Sequence, residues 1–349
     1  MKTDNKTLYE ISDDAERSIL IVWSLTVAVS SLIGDTVILV ATTKYHAVKL
    51  HKVIVTVMQH MAVNDLLLTT FKVIPGALSL MTNQWVLGEL FCHVEENISW
   101  ICHGAVTLFL TSCMTSLKLI VVTYPLKSSG WSSRSGHRIC LLMWFVALAW
   151  YAPILIGNLF YIKNTIHFSY RIYNCNYDPF VDHAPAWYKE YLLYRFPVGS
   201  ILIYTILILT SLLLLVKASK TASQHRTTLR WEGVMAVLLT VLVFLLSYVP
   251  WTVVYVAWLV GVKFSNSTFR TVLQMTNMNI MANFFVYALV LRSFRRFLKI
   301  KITSALRLVR LSRILRLQPR LRTPYRLEVS RSRRDNETHL STTEQLREL

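Results

Sequence analysis

The chain has 349 residues, 54% of them hydrophobic and 16% charged, with a mean hydropathy of +0.43. A soluble domain usually carries about a quarter charged residues, so the composition argues against a soluble globular protein and for a membrane one. The formal net charge of +18 raises nucleic acid as a partner, but seven apolar runs near the roughly 20 residues needed to cross a bilayer set that aside.

Residues 1–17 are polar and acidic and lack the basic stretch before a short apolar core that marks a cleaved signal. They read as an extracellular N-terminus, with the first run as the anchor. The runs lie near Ser18–Thr43, Val53–Met81, Ile98–Tyr124, Ile139–Ile162, Tyr191–Val216, Val234–Val262 and Phe269–Leu291. The connections are short, except the outer one between the fourth and fifth runs. This is an all-α membrane protein: a single seven-transmembrane helix bundle over residues 18–291, with no internal repeat of the kind transporters show.

Several runs carry polar residues that cost free energy in lipid and so mark function. The first has Asp35 after Gly34, and the second has Asp65 in HMAVNDLLL. Trp85 and Gly88 precede Cys92 in the next loop. The third run has Lys118, and the fourth has Trp144 with Pro153 nine residues on. The sixth has Phe244, Tyr248 and Pro250 in FLLSYVP. The seventh has Asn277, Asn279, Asn283 and Tyr287, and runs on into RSFRRFL.

Fifteen of the 37 Lys and Arg residues fall between Arg292 and Arg334. Phe294, Phe297, Leu298, Leu308, Leu311 and Leu315 interleave with Arg295, Arg296, Lys299, Arg307, Arg310 and Arg313. Residues 292–318 therefore read as a basic amphipathic eighth helix on an anionic cytoplasmic lipid surface, with a calmodulin-type target as the alternative. Residues 319–349 read as a disordered cytoplasmic tail.

Basic residues set the orientation. Lys44, Lys49, Lys52, Lys127, Arg134, Arg138, Lys217, Lys220, Arg226 and Arg230 follow runs one, three and five; only Lys163, Arg171, Lys189 and Lys263 follow runs two, four and six. The N-terminus is expected outside and the tail inside. Asn5 and Asn266 then lie outside in glycosylation sequons; Asn97 sits at the membrane boundary. Cys92 and Cys175 both face an oxidising compartment, so a disulfide between them is expected. Cys102, Cys113 and Cys140 fall inside helices as small hydrophobes. No spacing of His and Cys reads as a metal site.

In order and spacing these features resemble the rhodopsin-like family of G-protein-coupled receptors, over roughly residues 18–298. The family's Leu-Ala-x-x-Asp appears as Met61-Ala62-Val63-Asn64-Asp65. Its Phe-x-x-Cys-Trp-x-Pro appears as Phe244 to Pro250, with Tyr248 in place of Trp. Its Asn-Pro-x-x-Tyr appears as Asn283-Phe284-Phe285-Val286-Tyr287, and Trp85 matches its Trp before the third-helix Cys. The departures are specific. Anchored on Tyr124-Pro125-Leu126, the Asp-Arg-Tyr triplet falls on Leu117-Lys118-Leu119, which keeps a positive charge but loses the acid and the planar fork. Arg230 and Glu232 open the sixth run without an acidic partner for Lys118. Phe284 replaces a proline, Asp35 replaces an Asn, and Cys92 is one residue out of step with Lys118.

The resemblance implies that an extracellular ligand biases the helix arrangement and that an inner cleft opens for a heterotrimeric G protein. Phe244 and Tyr248 would be the packing switch above that cleft, ahead of Pro250; Lys118 and Tyr287 would line it. Asp65, Thr107, Asn279 and Asn283 match the family's sodium pocket. With Asp35 as a second carboxylate, that pocket would hold sodium or a shared proton; no other cofactor is expected. Blander alternatives are core packing for Tyr248, interface anchoring for Tyr287 and a protonated, backbone-bonded Asp35. Ser330, Ser332, Thr338, Ser341, Thr342 and Thr343 are candidate phosphorylation sites for arrestin, or plain disordered tail.

The family's amine receptors carry an Asp about one turn into the third helix, where this chain has Ser99 or Trp100. No lysine lies between Thr271 and Leu291 to hold retinal. The expected pocket is Trp100, His103, Trp251, Tyr255, Gln274 and Asn277, with Glu95 and Glu96 at its mouth as an acidic rim or as solvated loop charges. It suits a peptide or a small cationic molecule. The expected function is a plasma-membrane receptor coupled to a G protein. The alternatives are a non-signalling scavenger or heteromer-partner receptor, prompted by the missing acid–arginine pair, and a transporter or channel, for which no ion pathway is visible. No hydrolase, transferase or redox constellation is present, so an enzyme is not expected.

Overall fold

A computed structural model describes residues 14–44, 47–48, 50–160, 166–169, 174–177, 186–191, 196–224, 228–259 and 261–317. Asn5 and the tail serines and threonines lie outside these residues, as do the side chains of Cys175 and Asn266. The first helix, α1 (Asp14–Thr43), starts four residues before the apolar run and so carries Glu16 and Arg17. Glu16 pairs with Arg270 at 2.9 Å, and Arg17 donates to the carbonyls of Leu80 at 2.7 Å and Met81 at 2.9 Å. These contacts tie the start of α1 to the second and seventh spans.

Two spans are not continuous α-helix. The second runs as α2 (Lys52–Leu68), a π-helical stretch Thr69–Val73, and α3 (Ile74–Thr82), which ends at Asn83 in a left-handed conformation with φ 55°. The third runs as α4 (Gly88–Ile98), a π-helical stretch Ser99–Val106, and α5 (Thr107–Thr123). The N–H and Oγ1 of Thr107 both bond the Cys102 carbonyl, five residues back. Bonding i to i+5 takes up an extra residue in one turn and recurs at functional sites. It accounts for the one-residue mismatch between Cys92 and Lys118.

The chain continues through α6 (Pro125–Ser129) and α7 (Ser133–Phe160), which contains Pro153. Two short strands were not anticipated: β1 (Ile166–Ser169) and β2 (Asn174–Tyr177) form an antiparallel hairpin against α4, with Phe168 opposite Cys175. Cys92, on α4, is disulfide-bonded. Next come α8 (Ala186–Glu190), α9 (Phe196–Gln224), α10 (Thr228–Leu259) with Pro250 inside it, α11 (Asn266–Val290) and α12 (Arg292–Leu317).

Among the described residues six helical stretches are long and apolar enough to cross a membrane: Ala15–Thr43, Lys52–Thr82, Gly88–Thr123, Ser133–Gly157, Pro197–Lys220 and Trp231–Trp258. The seventh, α11, has the length, at 25 residues, but is more polar. It buries Arg270, Asn277, Asn279 and Asn283 among the other helices. Exposed apolar side chains such as Leu141, Phe145, Leu202, Leu209 and Leu213 form the belt such a bundle turns to lipid. Inside, α10 packs along α11, α5 along α9, and α1 along α2 and α11. Where the resemblance expects a proline in α11, Phe284 packs onto Gly34 of α1. A Cβ on Gly34 would stand 2.6 Å from the Phe284 Cβ.

The chain divides into two compact units at Arg295/Arg296. In the second, α12 continues to Leu317 with Ile300, Ile302 and Leu306 exposed and Lys301 over the Phe297 ring.

Candidate functional site

The polar residues inside the bundle form three groups. The first lies at the end of the bundle that carries the β-hairpin. Lys72, in the π-helical stretch of the second span, is 5% exposed, and its Nζ bonds His103 Nδ1. Glu95 and Glu96 lie within electrostatic reach of Lys72. They are 1% and 4% exposed, so they are not a solvated rim. A charge buried in a bundle needs a partner to offset its desolvation, and Lys72 supplies it. Glu96 also accepts from Trp100 Nε1 at 2.7 Å. The Trp100 and Tyr255 rings meet edge to face at 6.1 Å, and Trp251 stacks on Tyr255 at 6.1 Å. Tyr188 of α8 closes over this group; burial, then Tyr255 and Glu96, push its phenol up, so it stays a neutral donor.

His103 links this group to the switch residues. Its Nε2 lies 3.2 Å from the Thr276 carbonyl, and a carbonyl can only accept. That nitrogen therefore carries the proton, and Nδ1 accepts from Lys72. The His103 ring sits edge-on to Tyr248 at 5.0 Å, and Tyr248 stacks on Phe244 at 4.5 Å. Glu95 and Glu96 act on Lys72 electrostatically, and contacts run on from Lys72 through His103 to Tyr248 and Phe244. Gln274 accepts from Asn277 Nδ2 at 3.0 Å, leaving Asn277 Oδ1 buried without a hydrogen-bond partner among the described residues.

The second group surrounds two carboxylates. Asp65 Oδ2 accepts from Asn283 Nδ2 at 2.7 Å. Asp35 Oδ2 accepts from Ser31 at 2.6 Å; Ser31 accepts from Thr69, which also donates to the Asp65 carbonyl. Asp35 and Asp65 interact electrostatically. Thr107 does not reach Asp65 directly but accepts from Asn64 at 2.9 Å. Asp35 Oδ1 and Asn279 Nδ2 are buried with no hydrogen-bond partner among the described residues. The Asp35 oxygen is left as an acceptor for a small guest, a cation or water. No cluster of three or more His, Cys, Asp or Glu able to hold a metal occurs among the described residues.

The third group lies at the opposite end. Lys118 is buried against α10, where a Cβ on Gly233 would stand 2.7 Å from its Nζ. Only glycine lets the ammonium approach that backbone. Glu232 pairs with Arg292, at 2.8 Å to its Nε and 3.2 Å to its backbone N–H. The Tyr287 hydroxyl is buried beside the Thr240 side chain.

The sequence-derived pocket set therefore comes together around Glu96, Trp100, His103, Trp251 and Tyr255, with Gln274 and Asn277 bonded to each other. Lys72 was missed. It lies seven residues after Asp65, two turns along the same helix face, and that spacing was the available signal. Ser31, Asn64 and Thr69 were also missed.

Residues 35–288 match the family model described as 7 transmembrane receptor (rhodopsin family). Over 117 residues the chain is 32% identical to Melanopsin-B of Xenopus laevis, covering 32% of this chain and 21% of that protein. Over 172 residues it is 28% identical to a purinoceptor of Bos taurus, covering 48% and 43%. Over 255 residues it is 26% identical to Green-sensitive opsin-4 of Danio rerio, covering 71% of each. The chain thus spans about a fifth of the first relative and under half of the second. The family match begins within α1, runs through the second to sixth spans in full and ends in the last turn of α11. This chain is a multi-pass membrane protein and belongs to the rhodopsin family of seven-transmembrane receptors, which are receptors and not enzymes.

Proposed function

We propose that this protein is a G-protein-coupled receptor of the plasma membrane. It transduces binding of an extracellular peptide or small molecule, neither a biogenic amine nor retinal, to a heterotrimeric G protein. The observation that carries this reading is the buried polar series from Glu96 through Lys72, His103 and Tyr248 to Phe244. It joins a hairpin-covered pocket to the packing beneath it, so a ligand that moves Lys72 or Trp100 changes the seat of Tyr248. The absence of lysine from α11 speaks against retinal.

The distribution of Lys and Arg puts the hairpin end outside and the Lys118 end in the cytoplasm. There α12 rests on anionic lipid, and the tail, once phosphorylated, recruits arrestin. Outside, Asn5 and Asn266 carry glycans and Cys92 pairs with Cys175. Asp65, backed by Asn283 and with Asp35 beside it, holds sodium or a proton shared with Asp35; the unpartnered Asp35 Oδ1 supports a guest there.

A second reading is a non-signalling receptor that binds ligand as a scavenger or heteromer partner. Leu117-Lys118-Leu119 favours it, since lysine lacks the fork by which arginine makes paired contacts. Basal and ligand-driven G-protein activation, measured in cells for the wild type and for Lys118→Arg, separates the two. Activation by the wild type supports coupling; silence of both forms with every ligand tested supports the scavenger.

A further inference from the structure

Two histidines far apart in the chain meet where α2 packs on α7. His60 Nε2 and His137 Nδ1 stand 3.1 Å apart, with the ring centroids at 5.3 Å and the planes at 61°. The contact is exposed. The packing beside it fixes the spacing. Thr56 Oγ1 and Ser133 Oγ lie 3.0 Å apart, and a Cβ on Gly136 would stand 2.9 Å from the Thr56 Cβ. Glycine thus lets the two helices approach, and His60 and His137 each follow one turn on from that contact. Leu50, just before α2, and Lys118 both reach Gly233, so the pair belongs to the Lys118 end of the bundle. Arg138 adjoins His137 and is exposed. Arginine is costly deeper in lipid, which sets the pair at the level of the headgroups, within reach of water.

Two neutral imidazoles this close either share a proton in a hydrogen bond or turn both lone pairs on a metal. The spacing admits the second. Two nitrogens at about 2.0–2.1 Å from one tetrahedral zinc stand roughly 3.3–3.4 Å from each other, close to the separation here. Histidine χ2 is broad, so a small turn brings each ring onto the metal. The ring that holds the shared proton on its facing nitrogen carries it on the far nitrogen instead, and no proton is lost. Imidazole suits zinc, whereas magnesium and calcium prefer oxygen. No carboxylate or thiolate joins the pair among the described residues. Water completes the coordination, and the exposed Arg134 and Arg138 keep the affinity modest.

We propose that His60 and His137 form a binding site for a zinc ion that bridges α2 and α7. Bound there, the ion ties the ends of two spans and favours whichever arrangement of the bundle keeps the pair in contact. The site is separate from the hairpin-covered pocket and from the two carboxylates, and it does not rest on the receptor reading. Sequence spacing gives no sign of it, because the two ligands are 77 residues apart.

The test is zinc binding to the full-length protein in lipid nanodiscs, read as the rise in melting temperature with zinc concentration and compared with magnesium. An ion that binds the folded state raises that temperature by mass action. Zinc is expected to do so, and magnesium is not. His60→Ala and His137→Ala should each raise the zinc concentration needed by at least about tenfold, since even the outer partners of metal ligands are worth that much. Gly136→Ala, which keeps both histidines but spreads the helices, should raise it several-fold. Melting curves without metal establish that each variant is folded, and the exposed His137→Ala keeps the test decisive if the others do not fold. An equal zinc response in the wild type and His137→Ala would mean adventitious binding at other histidines and overturn the assignment. No zinc response from the wild type, or an equal response to magnesium, overturns it as well. G-protein activation plays no part in this measurement, so its failure and that of the signalling proposal are read separately.

Discussion

Gly34 and Phe284 show how one position answers another. The family's proline is absent from α11, and a phenyl ring fills the space against α1 that glycine leaves open. Gly34→Ala puts a methyl 2.6 Å from the Phe284 Cβ, on the rigid part of that side chain. Overpacking of this kind costs about 1–3 kcal/mol, so a lowered melting temperature is expected in detergent, with Gly34→Ala/Phe284→Ala partly restoring it. Asp35 makes a second test. If it shares a guest with Asp65, Asp35→Asn should weaken any effect of sodium on ligand affinity; an unchanged sodium dependence removes Asp35 from the site. At this scale Asp65, Asn283, Tyr248 and Tyr287 were legible because their spacing along single helices survives in the chain. Glu95 and Glu96 were misplaced at the mouth, because their burial depends on packing between distant elements. Lys72 went unnoticed inside the apolar FKVIP stretch, although it shares a face with Asp65.

The spans themselves were legible from apolar length, but their interiors were not. A π-helical turn leaves no composition signal; its one trace in the sequence was the register mismatch between Cys92 and Lys118. The β-hairpin hid for another reason, since strands of four residues lie below what alternation can show. Between elements, Glu232 and Arg292 join the start of α10 to the start of α12. This is an ion pair between the sixth span and the helix that follows the seventh, where the resemblance expects one from the third to the sixth. Arg292 is 70% exposed, and a pair this open is worth at most about 1 kcal/mol. Glu232→Gln should therefore raise basal signalling only modestly, by up to about fivefold, and the exchange Glu232→Arg/Arg292→Glu should bring it back. No rise in the single variant would show that the pair does not restrain the bundle, and a large rise would show a restraint stronger than an exposed pair supplies.

The whole molecule is a membrane bundle with polar groups at both ends and a pair of carboxylates between them. Its orientation rests on the excess of Lys and Arg in alternate loops. Deglycosylation of protein from eukaryotic cells should lower its apparent mass, and Asn5→Gln/Asn266→Gln should abolish that shift; retention of the shift would place a glycan elsewhere. The central claim is that the Lys118 end still engages a G protein although the acid and arginine of the family are gone. Nucleotide exchange on purified heterotrimeric G proteins, catalysed by the protein in nanodiscs, tests it most directly. The account predicts exchange above empty nanodiscs for the wild type and its loss in Lys118→Ala. No exchange from a folded wild-type protein with any G protein or ligand, or exchange indifferent to Lys118→Ala, would contradict it.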